Sequence, residues 1–324
     1  MLNKNIIKLL KKNKKNIKKS RIICIGDIIL DHYITGKVER ISPEAPVSIL
    51  VMKNQEYEVG GVGNVAKNIS NMGAKTTLIC LSGNDFSSVK VKKLLRENKN
   101  IKNVDIKVPS FKTPIKTRFI NEEKHLLRLD NEDVYFKLAN KYKNLIIEKL
   151  KKEIKKNDLV ILSDYNKGLL DKDLIKKIIK ISIHYKKIII ADPKKIELSS
   201  YEGVNILTPN QKEITDSSKK KFLNEKNLIK YAQNIIKKYK IQNLLITRSE
   251  DGMLLVNNKS ITKVKANAKR VIDVTGAGDT VIAILGLMLT LEFSIEDSIK
   301  ISNFAAGLVI GKSGTACISY SDLI

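Results

Sequence analysis

Short runs of β-branched and other apolar residues alternate with longer Lys- and Ile-rich segments along most of the chain. The first run, RIICIGDIIL at Arg21 to Leu30, predicts a buried strand of a parallel sheet that ends at Asp31. Further strands are predicted at Thr76 to Leu81, Leu159 to Leu162, Lys187 to Ala191, Gly203 to Leu207, Asn243 to Thr247 and Met253 to Val256. Because long helical segments separate most of them, we expect an α/β fold with a doubly wound, mostly parallel sheet.

Two segments depart from this alternation. Residues 32–52 interrupt short apolar stretches with Gly36, Pro43 and Pro46, which indicates brief strands outside the main sheet. Ile115 to Leu129 has the pattern of a hairpin with its turn near Asn121 to Glu123. We therefore expect a small β lid, built from residues of about 32–52 and 112–129, inserted in a domain that spans residues 21–324.

The formal net charge of +26 raises the possibility of a nucleic-acid partner. However, only 7 of the 60 basic residues are Arg, Trp is absent and aromatic residues make up 5% of the chain. Nucleic-acid sites favour the planar fork of Arg together with aromatic rings on which bases stack. The composition therefore argues against nucleic-acid binding.

The most concentrated basic block lies before the first predicted strand. Lys4 to Lys19 contains eight Lys and no acidic residue. With Ile6, Ile7, Leu9 and Leu10 this block could form a short basic amphipathic helix that touches anionic surfaces, but a solvated leader over residues 1–20 is the favoured interpretation.

The positions of Cys and His and the hydropathy of the chain argue against a disulfide framework, a transition-metal site and a membrane span. Cys24, Cys80 and Cys317 are far apart within apolar runs, which predicts buried free thiols, and the three His show no metal-binding spacing. Any metal is expected to have oxygen ligands. No stretch approaches the roughly 18 apolar residues of a membrane span, and the N-terminus lacks the pattern of a cleaved signal peptide. We therefore expect a cytoplasmic protein.

The most informative motif is DVTGAGDT, which precedes the apolar helix VIAILGLMLTL. Small residues at Gly276, Ala277 and Gly278 allow backbone N–H groups to converge at the positive end of a helix dipole, where an anion binds. Asp279 in the first helical turn would repel that anion unless it has another task, and taking a proton from an attacking hydroxyl is such a task. The alternative is an ordinary tight turn followed by a helix-capping acid.

A second Gly-rich stretch, GGVGNVA, also leads into a helix. Its three glycines, Gly60, Gly61 and Gly63, allow a ligand to approach the backbone, and Asn64 adds a side chain that can both donate to and accept from a polyol. A dinucleotide-binding site is disfavoured, because GxGxxG does not follow the preceding strand directly and no acid ends the next strand at the required interval.

Polar residues follow several predicted strands, where ligands of open α/β sheets bind. Asp27 and Asp31 at the end of the first strand, and Asp164 and Lys167 in LSDYNKG, could contact sugar hydroxyls, although capping of adjacent turns is an equal alternative.

Asn210 and Glu213 in TPNQKE follow another predicted strand. They could orient Mg²⁺ through water, since that ion keeps much of its hydration shell, but taken alone they are better explained as a helix cap.

Together these segments resemble the ribokinase/PfkB family of carbohydrate kinases. GGVGNVAKNISNMGA is similar to the N-terminal signature of that family, and DVTGAGDT matches its C-terminal signature. Within the family the chain is most similar to kinases of D-glycero-β-D-manno-heptose 7-phosphate, which act in lipopolysaccharide heptose synthesis. This similarity covers nearly everything after residue 20, in GDIILDHYITGKVERISPEAPV, LSDYNKGLL, DPK, LTPNQKE, TRSEDGM, VIDVTGAGDTVIAIL and NFAAGLVIGKSGTACIS.

The resemblance implies a ribokinase-like fold with a β lid, a homodimer formed through lid contacts, and transfer of the ATP γ-phosphoryl group to C1 of the sugar phosphate with Mg²⁺. It assigns Asp279 as the base and the amides of Gly276, Ala277 and Gly278 as the anion hole. By the same resemblance, the sugar would be bound by Asp27, Asp31, Gly60, Gly61 and Asn64. Phosphate and Mg²⁺ would be faced by Asn210 and Glu213, and the nucleotide would be bound by Thr247, Ser249, Gly252 and Asn303. A monovalent cation such as K⁺ would be held by Asp273 and Thr275. Candidates for the cation that binds the sugar phosphate are Lys167, Arg118, Arg128 and Arg40.

Two departures from the family pattern leave alternatives. The chain has GGVG where these kinases often have GGAA, and it lacks an HxGH sequence, so a separate nucleotidyltransferase is expected in the pathway. A kinase of the same family for another sugar or sugar phosphate is one alternative. A catalytically silent sugar-sensing module is another, although the intact Asp279 and its glycine neighbours argue against it.

Overall fold

A computed structural model describes residues 2–122, 124–133, 136–194, 197–219, 221–267, 271–312 and 314–324. The helices are α1 (Lys4–Ile17), α2 (Val62–Asn71), α3 (Phe86–Arg96), α4 (Asn140–Ile154), α5 (Lys172–His184), α6 (Gln211–Ser218), α7 (Glu225–Tyr239), α8 (Ala277–Thr290) and α9 (Ile295–Val309). The strands are β1 (Arg21–Gly26), β2 (Ile28–Ile41), β3 (Ser48–Gly61), β4 (Lys75–Ser82), β5 (Ile101–Lys107), β6 (Ile115–Asn121), β7 (Lys124–Asn131), β8 (Leu159–Ser163), β9 (Ile188–Asp192), β10 (Ile206–Leu207), β11 (Asn243–Thr247), β12 (Met253–Asn257) and β13 (Ile261–Val264).

The main sheet of the described chain has the order β13-β12-β11-β10-β9-β8-β1-β4-β5. From β11 to β5 all neighbours are parallel, whereas β12 and β13 are each antiparallel to the strand before them. Alternate residues of β1 enter different cores: Ile22 and Cys24 pack with α2, α8 and α9, while Ile23 and Ile25 pack with α4, α5 and α7. The doubly wound prediction is confirmed.

A smaller sheet has the order β3-β2-β6-β7, with β2 parallel to β6 and the other pairs antiparallel. It contains both segments expected outside the main sheet, but β2 and β3 are 14-residue strands, not the brief strands expected for residues 32–52. Their long antiparallel pairing compensates for the interruption at Gly36, where the register shifts. In the predicted turn between β6 and β7, Glu123 lies outside the described residues.

The prediction of the first strand is wrong in one respect. The apolar run from Arg21 to Leu30 divides at Asp27, where the chain leaves the main sheet and enters the small one. Asp27 thus directly follows the end of β1, but Asp31 lies within β2 instead of at the end of the first strand. Because the residues on both sides of Asp27 are buried, hydropathy alone does not mark this change of sheet.

The Lys-rich N-terminus is folded, which corrects the interpretation as a solvated leader. Residues Lys4–Ile17 form α1, and Ile6, Leu10 and Ile17 are almost fully buried in the core that contains α2 and α8. The lysines occupy the opposite side of an amphipathic helix. Apolar burial along one face stabilises the helix despite the run of like charges.

Other boundaries differ slightly from expectation. β5 and β13 are additional strands, and β10 contains only Ile206–Leu207 of the predicted Gly203 to Leu207. Cys24 and Cys80 are buried free thiols as expected, but Cys317 is only half-buried. Within the described residues, no helix has the length and apolarity needed to cross a membrane.

Candidate active site

The N-terminus of α8 forms the centre of the candidate site. Gly276 has φ +78°, and a Cβ there would lie 2.6 Å from Asn64 Nδ2, so a side chain is excluded by backbone conformation and by space. A Cβ on Gly278 would have no atom within 4 Å, because this residue lines a cavity. The amide of Ala277 makes a long 3.3 Å bond to Val274 O within the turn. The predicted anion hole therefore begins a helix and opens onto free space at Gly278.

Asp279 is buried in the first turn of α8, with 3% of its surface exposed. Asn64 Nδ2 donates to its Oδ2 at 3.0 Å, and Tyr165 OH donates to its Oδ1 at 2.8 Å. Burial raises the pKa of Asp279 to about 6, although both hydrogen bonds oppose this shift. The carboxylate is held in one orientation by neutral donors and can accept a proton near neutral pH.

Asn64 connects the two Gly-rich motifs that sequence analysis singled out. It lies in α2, directly after the end of β3 at Gly61, and its amide reaches Asp279 in α8. Asn68 Nδ2 donates to Asn64 Oδ1 at 3.2 Å, which fixes the orientation of the amide. The two helix N-termini thus meet, and Asn64 orients the candidate base.

Tyr165 is a site residue that sequence analysis did not assign, although it lies in the quoted stretch LSDYNKG. Its loop follows β8 and is tied down by Asp27, whose carboxylate accepts from Tyr165 N, Lys167 N and Leu169 N at 2.9, 3.0 and 3.1 Å. Asp27 is buried, and burial raises its pKa to about 6. Asp27 therefore caps this loop, which is one of the two alternatives that the sequence left open for it.

Asp164 likewise stabilises its own loop. Its Oδ1 accepts from Asn166 N at 2.8 Å and its Oδ2 from Tyr201 OH at 2.5 Å. The residue is fully buried. Of the two alternatives that the sequence left open for Asp164, the structure favours turn capping.

Asp31 is buried in β2 of the small sheet, and its charge helps to raise the pKa of Asp279. Asp31 Oδ1 accepts from Arg118 Nη1 at 2.6 Å in a buried ion pair. Burial raises the pKa of Asp31 despite the neighbouring guanidinium. Gly60 approaches the carboxylate so closely that a Cβ would lie 2.0 Å from Asp31 Oδ2, and Gly61 has φ +58°. The two glycines therefore let β3 pass beside Asp31 and turn into α2.

A small polar cavity of about 50 Å³ lies beside the anion hole. It is lined by Asp192, Lys194, Thr208, Asn210, Glu213, Thr247, Gly278 and Val281. A larger open groove of about 1020 Å³ runs along α3, but none of the residues that contact Asp279 line it. The small cavity borders Gly278 and is therefore the better candidate for a phosphate-binding site.

The cavity carries both signs of charge. Burial raises the pKa of Asp192 to about 7, and Thr208 Oγ1 donates to its Oδ1 at 3.0 Å. Burial lowers the pKa of Lys194, but Asp192 and Glu213 outweigh burial and the net shift is upward. Lys194 Nζ lies 2.5 Å from Glu213 Oε1. Asp192 and Lys194 lie in the stretch DPK, and only the folded structure shows that both line this cavity.

Asn210 and Glu213 form the capping box that sequence analysis offered as an alternative to metal binding. Asn210 Oδ1 accepts from Glu213 N, and Glu213 Oε2 accepts from Asn210 N, both at 2.8 Å. Both residues also line the cavity. Their capping role and a ligand-facing position are therefore compatible.

The other predicted nucleotide residues lie at the end of β11, in the turn between β11 and β12, and in the middle of α9. Thr247 lines the cavity, whereas Ser249 is exposed in the following turn. Gly252 has φ +78°, and a Cβ would lie 2.0 Å from Val264 O. Asn303 Nδ2 donates to Lys265 O at 2.8 Å and thereby holds the chain after β13. The structure brings only Thr247 of these four into the cavity.

Asp273 and Thr275 lie in the turn before α8. Asp273 Oδ1 accepts from Thr275 N at 2.9 Å, and its Oδ2 accepts from Gly314 N at 3.1 Å. Burial raises the pKa of Asp273, but these bonds outweigh burial and the net shift is downward. Thr315, next in the chain, donates its N–H to Glu58 Oε2 on β3 at 2.8 Å. This network links the small sheet to the turn that carries the anion hole.

Three of the four candidate phosphate-binding cations are already paired with carboxylates. Arg118 pairs with Asp31, Lys167 Nζ pairs with Glu132, and Arg128 Nε lies 2.9 Å from Asp130 Oδ1. Arg40 is exposed near the far end of β2.

The comparison with protein families decides the class of this site. The model of the pfkB family of carbohydrate kinases matches residues 19–320. The chain belongs to this family. Curated relatives include the bifunctional protein HldE of Campylobacter fetus, which is 38% identical over 93% of this chain, and that of Sulfurimonas denitrificans, which is 39% identical over 94%. The match covers 65% and 63% of those proteins, so this kinase spans slightly less than two thirds of their length.

Solved structures support the fold of the kinase. Phosphofructokinase-2 from Escherichia coli, solved with substrates and products, aligns with a TM-score of 0.78 at 19% identity, covering 94% of this chain and 97% of the other. Arabidopsis thaliana ribokinase, solved with ribose and ATP, aligns with a TM-score of 0.72 at 14% identity over the same shares. The ribokinase-like α/β fold of this pfkB-family kinase is thus established.

Proposed function

We propose that this carbohydrate kinase transfers the γ-phosphoryl group of ATP to the C1 hydroxyl of D-glycero-β-D-manno-heptose 7-phosphate. The product is the 1,7-bisphosphate, an intermediate of ADP-heptose and lipopolysaccharide core synthesis. The observation that carries the kinase chemistry is the buried Asp279 carboxylate, which adjoins the cavity at Gly278 and is oriented by Asn64 and Tyr165. The heptose assignment is supported by the similarity of the motif stretches and by the identity to the HldE proteins.

Asp279 acts as the general base. Its carboxylate accepts the proton of the C1 hydroxyl as that oxygen forms a bond to the γ-phosphorus and the bond from phosphorus to the β–γ bridging oxygen breaks, releasing ADP. Two neutral hydrogen-bond donors hold the carboxylate in place without neutralising it. The protein contributes mainly positioning and charge stabilisation, since phosphoryl transfer needs little covalent chemistry from the enzyme.

The start of α8 stabilises the transferred phosphoryl group. The amides at Gly276, Ala277 and Gly278 lie at the positive end of the helix dipole. Gly278 leaves open space beside these amides, which a γ-phosphoryl group would fill. The anion hole and the base thus lie on consecutive residues, so both can act on the same phosphoryl transfer.

The cavity beside Gly278 is the proposed site for the phosphates of ATP. Lys194, which is paired with Glu213, adds a cation to the cavity lining, and Thr208, Asn210 and Thr247 add hydrogen-bonding groups. Mg²⁺ fits this donor set, because Asp192 and Glu213 offer the carboxylate oxygens that it prefers, directly or through water. When bound, Mg²⁺ neutralises charge on the donor phosphates.

A monovalent cation such as K⁺ is proposed beside Asp273 and Thr275. The downward pKa shift of Asp273 keeps its carboxylate ionised at neutral pH, and the group already organises the turn before the anion hole. The expected result is faster sugar-dependent ADP release in K⁺ than in equimolar Na⁺. Equal rates in both salts would argue against this cation site.

The small sheet is the proposed lid and the surface through which two copies pair. Leu127 and Leu129 on β7 are 61% and 56% exposed, which is unusual for large apolar residues on a regular strand. Pairing of two small sheets would cover them. Light scattering is expected to give twice the chain mass, and a monomer at assay concentration would contradict the pairing.

The function is tested by coupled ADP release with a panel of acceptors. Heptose 7-phosphate is expected to give the highest kcat/KM, above fructose 1- and 6-phosphate, ribose and a nucleoside, and chelation of Mg²⁺ should abolish the signal. A higher kcat/KM with another sugar would support the alternative of a different substrate in the same family. Sugar binding without ADP release from any acceptor would indicate the silent sensor.

A further inference from the structure

The small sheet carries a row of charged residues, one from each strand, on the face that contains Asp31. Adjacent strands align Glu58 with Asp31, Asp31 with Lys116, and Lys116 with Asp130. Residues paired in this way point to the same side of a sheet. The row therefore lies on the same side as the buried Asp31–Arg118 pair, and Asp31 is one of the residues to which the family resemblance assigns sugar binding.

Lys116 differs from the other cations of this region. Arg118, Lys167 and Arg128 each pair with a carboxylate, whereas Lys116 has no ion-pair partner among the residues that the structure describes. It is half-buried, and this burial lowers its pKa more strongly than Asp130 raises it. Asp31 and Asp130 flank Lys116 on the neighbouring strands, but neither forms an ion pair with it, so its ammonium group can still pair with an anion of the ligand.

The side chain of Tyr165 contacts Asp279 and lies near Lys116. Lys116 Nζ lies 5.8 Å from the centroid of the Tyr165 ring, and the hydroxyl of the same ring donates to Asp279. Lys194 Nζ lies 5.7 Å from that centroid and contacts Glu213 of the phosphate cavity. One tyrosine thus stands next to two ammonium groups. Lys194 lines the cavity proposed for the phosphates of ATP, and Lys116 lies on the small sheet, which is proposed to cover the acceptor sugar.

We propose that Lys116 binds the anionic group at the end of the acceptor sugar remote from the reacting hydroxyl, and that it selects phosphorylated acceptors over neutral ones. This inference rests on the proposed function and adds the residue that sequence analysis could not identify. Lys116 does not touch Asp279, and a tyrosine side chain separates the two groups. Its contribution is therefore to acceptor affinity and not to the chemical step.

The test compares wild type with Lys116→Met, which keeps the aliphatic length and removes the charge. Isothermal titration measures binding of heptose 7-phosphate, fructose 6-phosphate, the corresponding free sugars and inorganic phosphate, and ADP release measures turnover in parallel. For the phosphorylated acceptor, we expect kcat/KM to fall about 10- to 100-fold, the loss expected for a charged hydrogen bond, almost entirely through KM. Binding of the free sugars should stay unchanged. Lys116→Arg should restore much of the affinity.

Lys37→Met is the matched control, since Lys37 is an exposed lysine on β2 of the same sheet. It should behave as wild type. The proposal is overturned if Lys116→Met weakens phosphorylated and free sugars equally, if it weakens neither, or if no phosphorylated ligand binds the wild type. Phosphate-dependent binding that is lost in Lys116→Met without any ADP release from the wild type would support the anion site and contradict the proposed function.

Discussion

The hydroxyl of Tyr165 donates a 2.8 Å hydrogen bond to Asp279 Oδ1. Asn64 donates to the other carboxylate oxygen at 3.0 Å, so the carboxylate is oriented by two neutral donors. A neutral donor fixes a base and lowers its pKa less than a cation in direct contact would. This arrangement keeps Asp279 ionised at neutral pH while its pKa stays close enough to accept a proton in the reaction.

Replacement of Tyr165 by Phe should move the acid limb of the pH profile upward. The hydrogen bond from Tyr165 lowers the pKa of Asp279, which burial holds at about 6. Loss of a hydrogen bond to a charged group is expected to raise that pKa by about one unit. The pH dependence of kcat/KM measures the shift, because it reports the pKa values of the free enzyme and free substrate.

Tyr142→Phe on α4 is the matched control, because its ring contacts Lys141 and not the site. Its acid limb should coincide with that of wild type. An unchanged acid limb in Tyr165→Phe would show that the hydroxyl does not tune the base.

Gly278→Ala and Gly276→Ala should distinguish a loss of space for the phosphoryl group from a loss of stability. A Cβ at Gly278 meets no atom within 4 Å, and Ala is favoured over Gly within a helix by about 0.5–1 kcal/mol. We expect Gly278→Ala to keep or raise the free energy of unfolding while turnover falls, because the methyl group enters the proposed phosphoryl site. Urea denaturation and ADP release on the same protein measure both quantities.

Gly276→Ala should instead lose stability as well as turnover. Its φ of +78° is unfavourable for Ala, and the new Cβ would lie 2.6 Å from Asn64 Nδ2, displacing the amide that orients Asp279. We expect about 1–3 kcal/mol of destabilisation from the backbone conformation alone. Wild-type turnover in Gly278→Ala would contradict the placement of the phosphoryl group.

Asp279→Asn should be more stable than wild type at alkaline pH. Burial raises the pKa of Asp279 from 3.8 to about 6, so the folded state binds this proton more tightly than the unfolded chain does. The ionised carboxylate therefore destabilises the fold above about pH 6, by at most about 3 kcal/mol, and this penalty disappears as the pH falls below 3.8. Urea denaturation at pH 8 and pH 5 should show a stabilisation that shrinks at the lower pH. A difference independent of pH would disprove the assignment of the shift to ionisation.

Glu58→Ala should destabilise the junction between the small sheet and the loop after α9. Glu58 Oε2 accepts from the N–H and the hydroxyl of Thr315, which is 2% exposed. Leaving a buried N–H group without an acceptor is expected to cost about 1–3 kcal/mol. The free energy of unfolding in urea measures this loss. Glu56→Ala, an exposed position two residues earlier on β3, should change it by less than about 0.5 kcal/mol; an equal loss in both variants would refute the role of the Thr315 contact.

The sequence predicts the fold best where local pattern and tertiary environment agree. The predicted β11 matches the structure residue for residue, because a short apolar run there is bounded by polar residues. The break at Asp27 is invisible to hydropathy since β1 and β2 are both buried where they meet. The burial of α1 could have been anticipated from Ile6, Leu10 and Ile17, whose spacing places them on one helix face, but the surrounding lysines favoured a solvated segment.

The site is predictable to the extent that it lies in local motifs. Asp279 and Asn64 are recognisable because each follows glycines at a helix start. Tyr165 and Lys116 reach the site only through tertiary folding, and neither residue type is distinctive in a chain with 10 Tyr and 60 basic residues. Asp27 has the residue type and position expected of a sugar ligand, yet the path of the loop after β8 gives it three backbone partners.

The most direct test of the account is ADP release with heptose 7-phosphate, measured side by side for wild type and Asp279→Asn at pH 8. Asn keeps the size of the side chain but cannot act as the base. If Asp279 takes the proton from the acceptor hydroxyl, turnover should fall about 10²- to 10⁴-fold in a protein that remains folded. Turnover near that of wild type would contradict the central claim that this carboxylate activates the sugar.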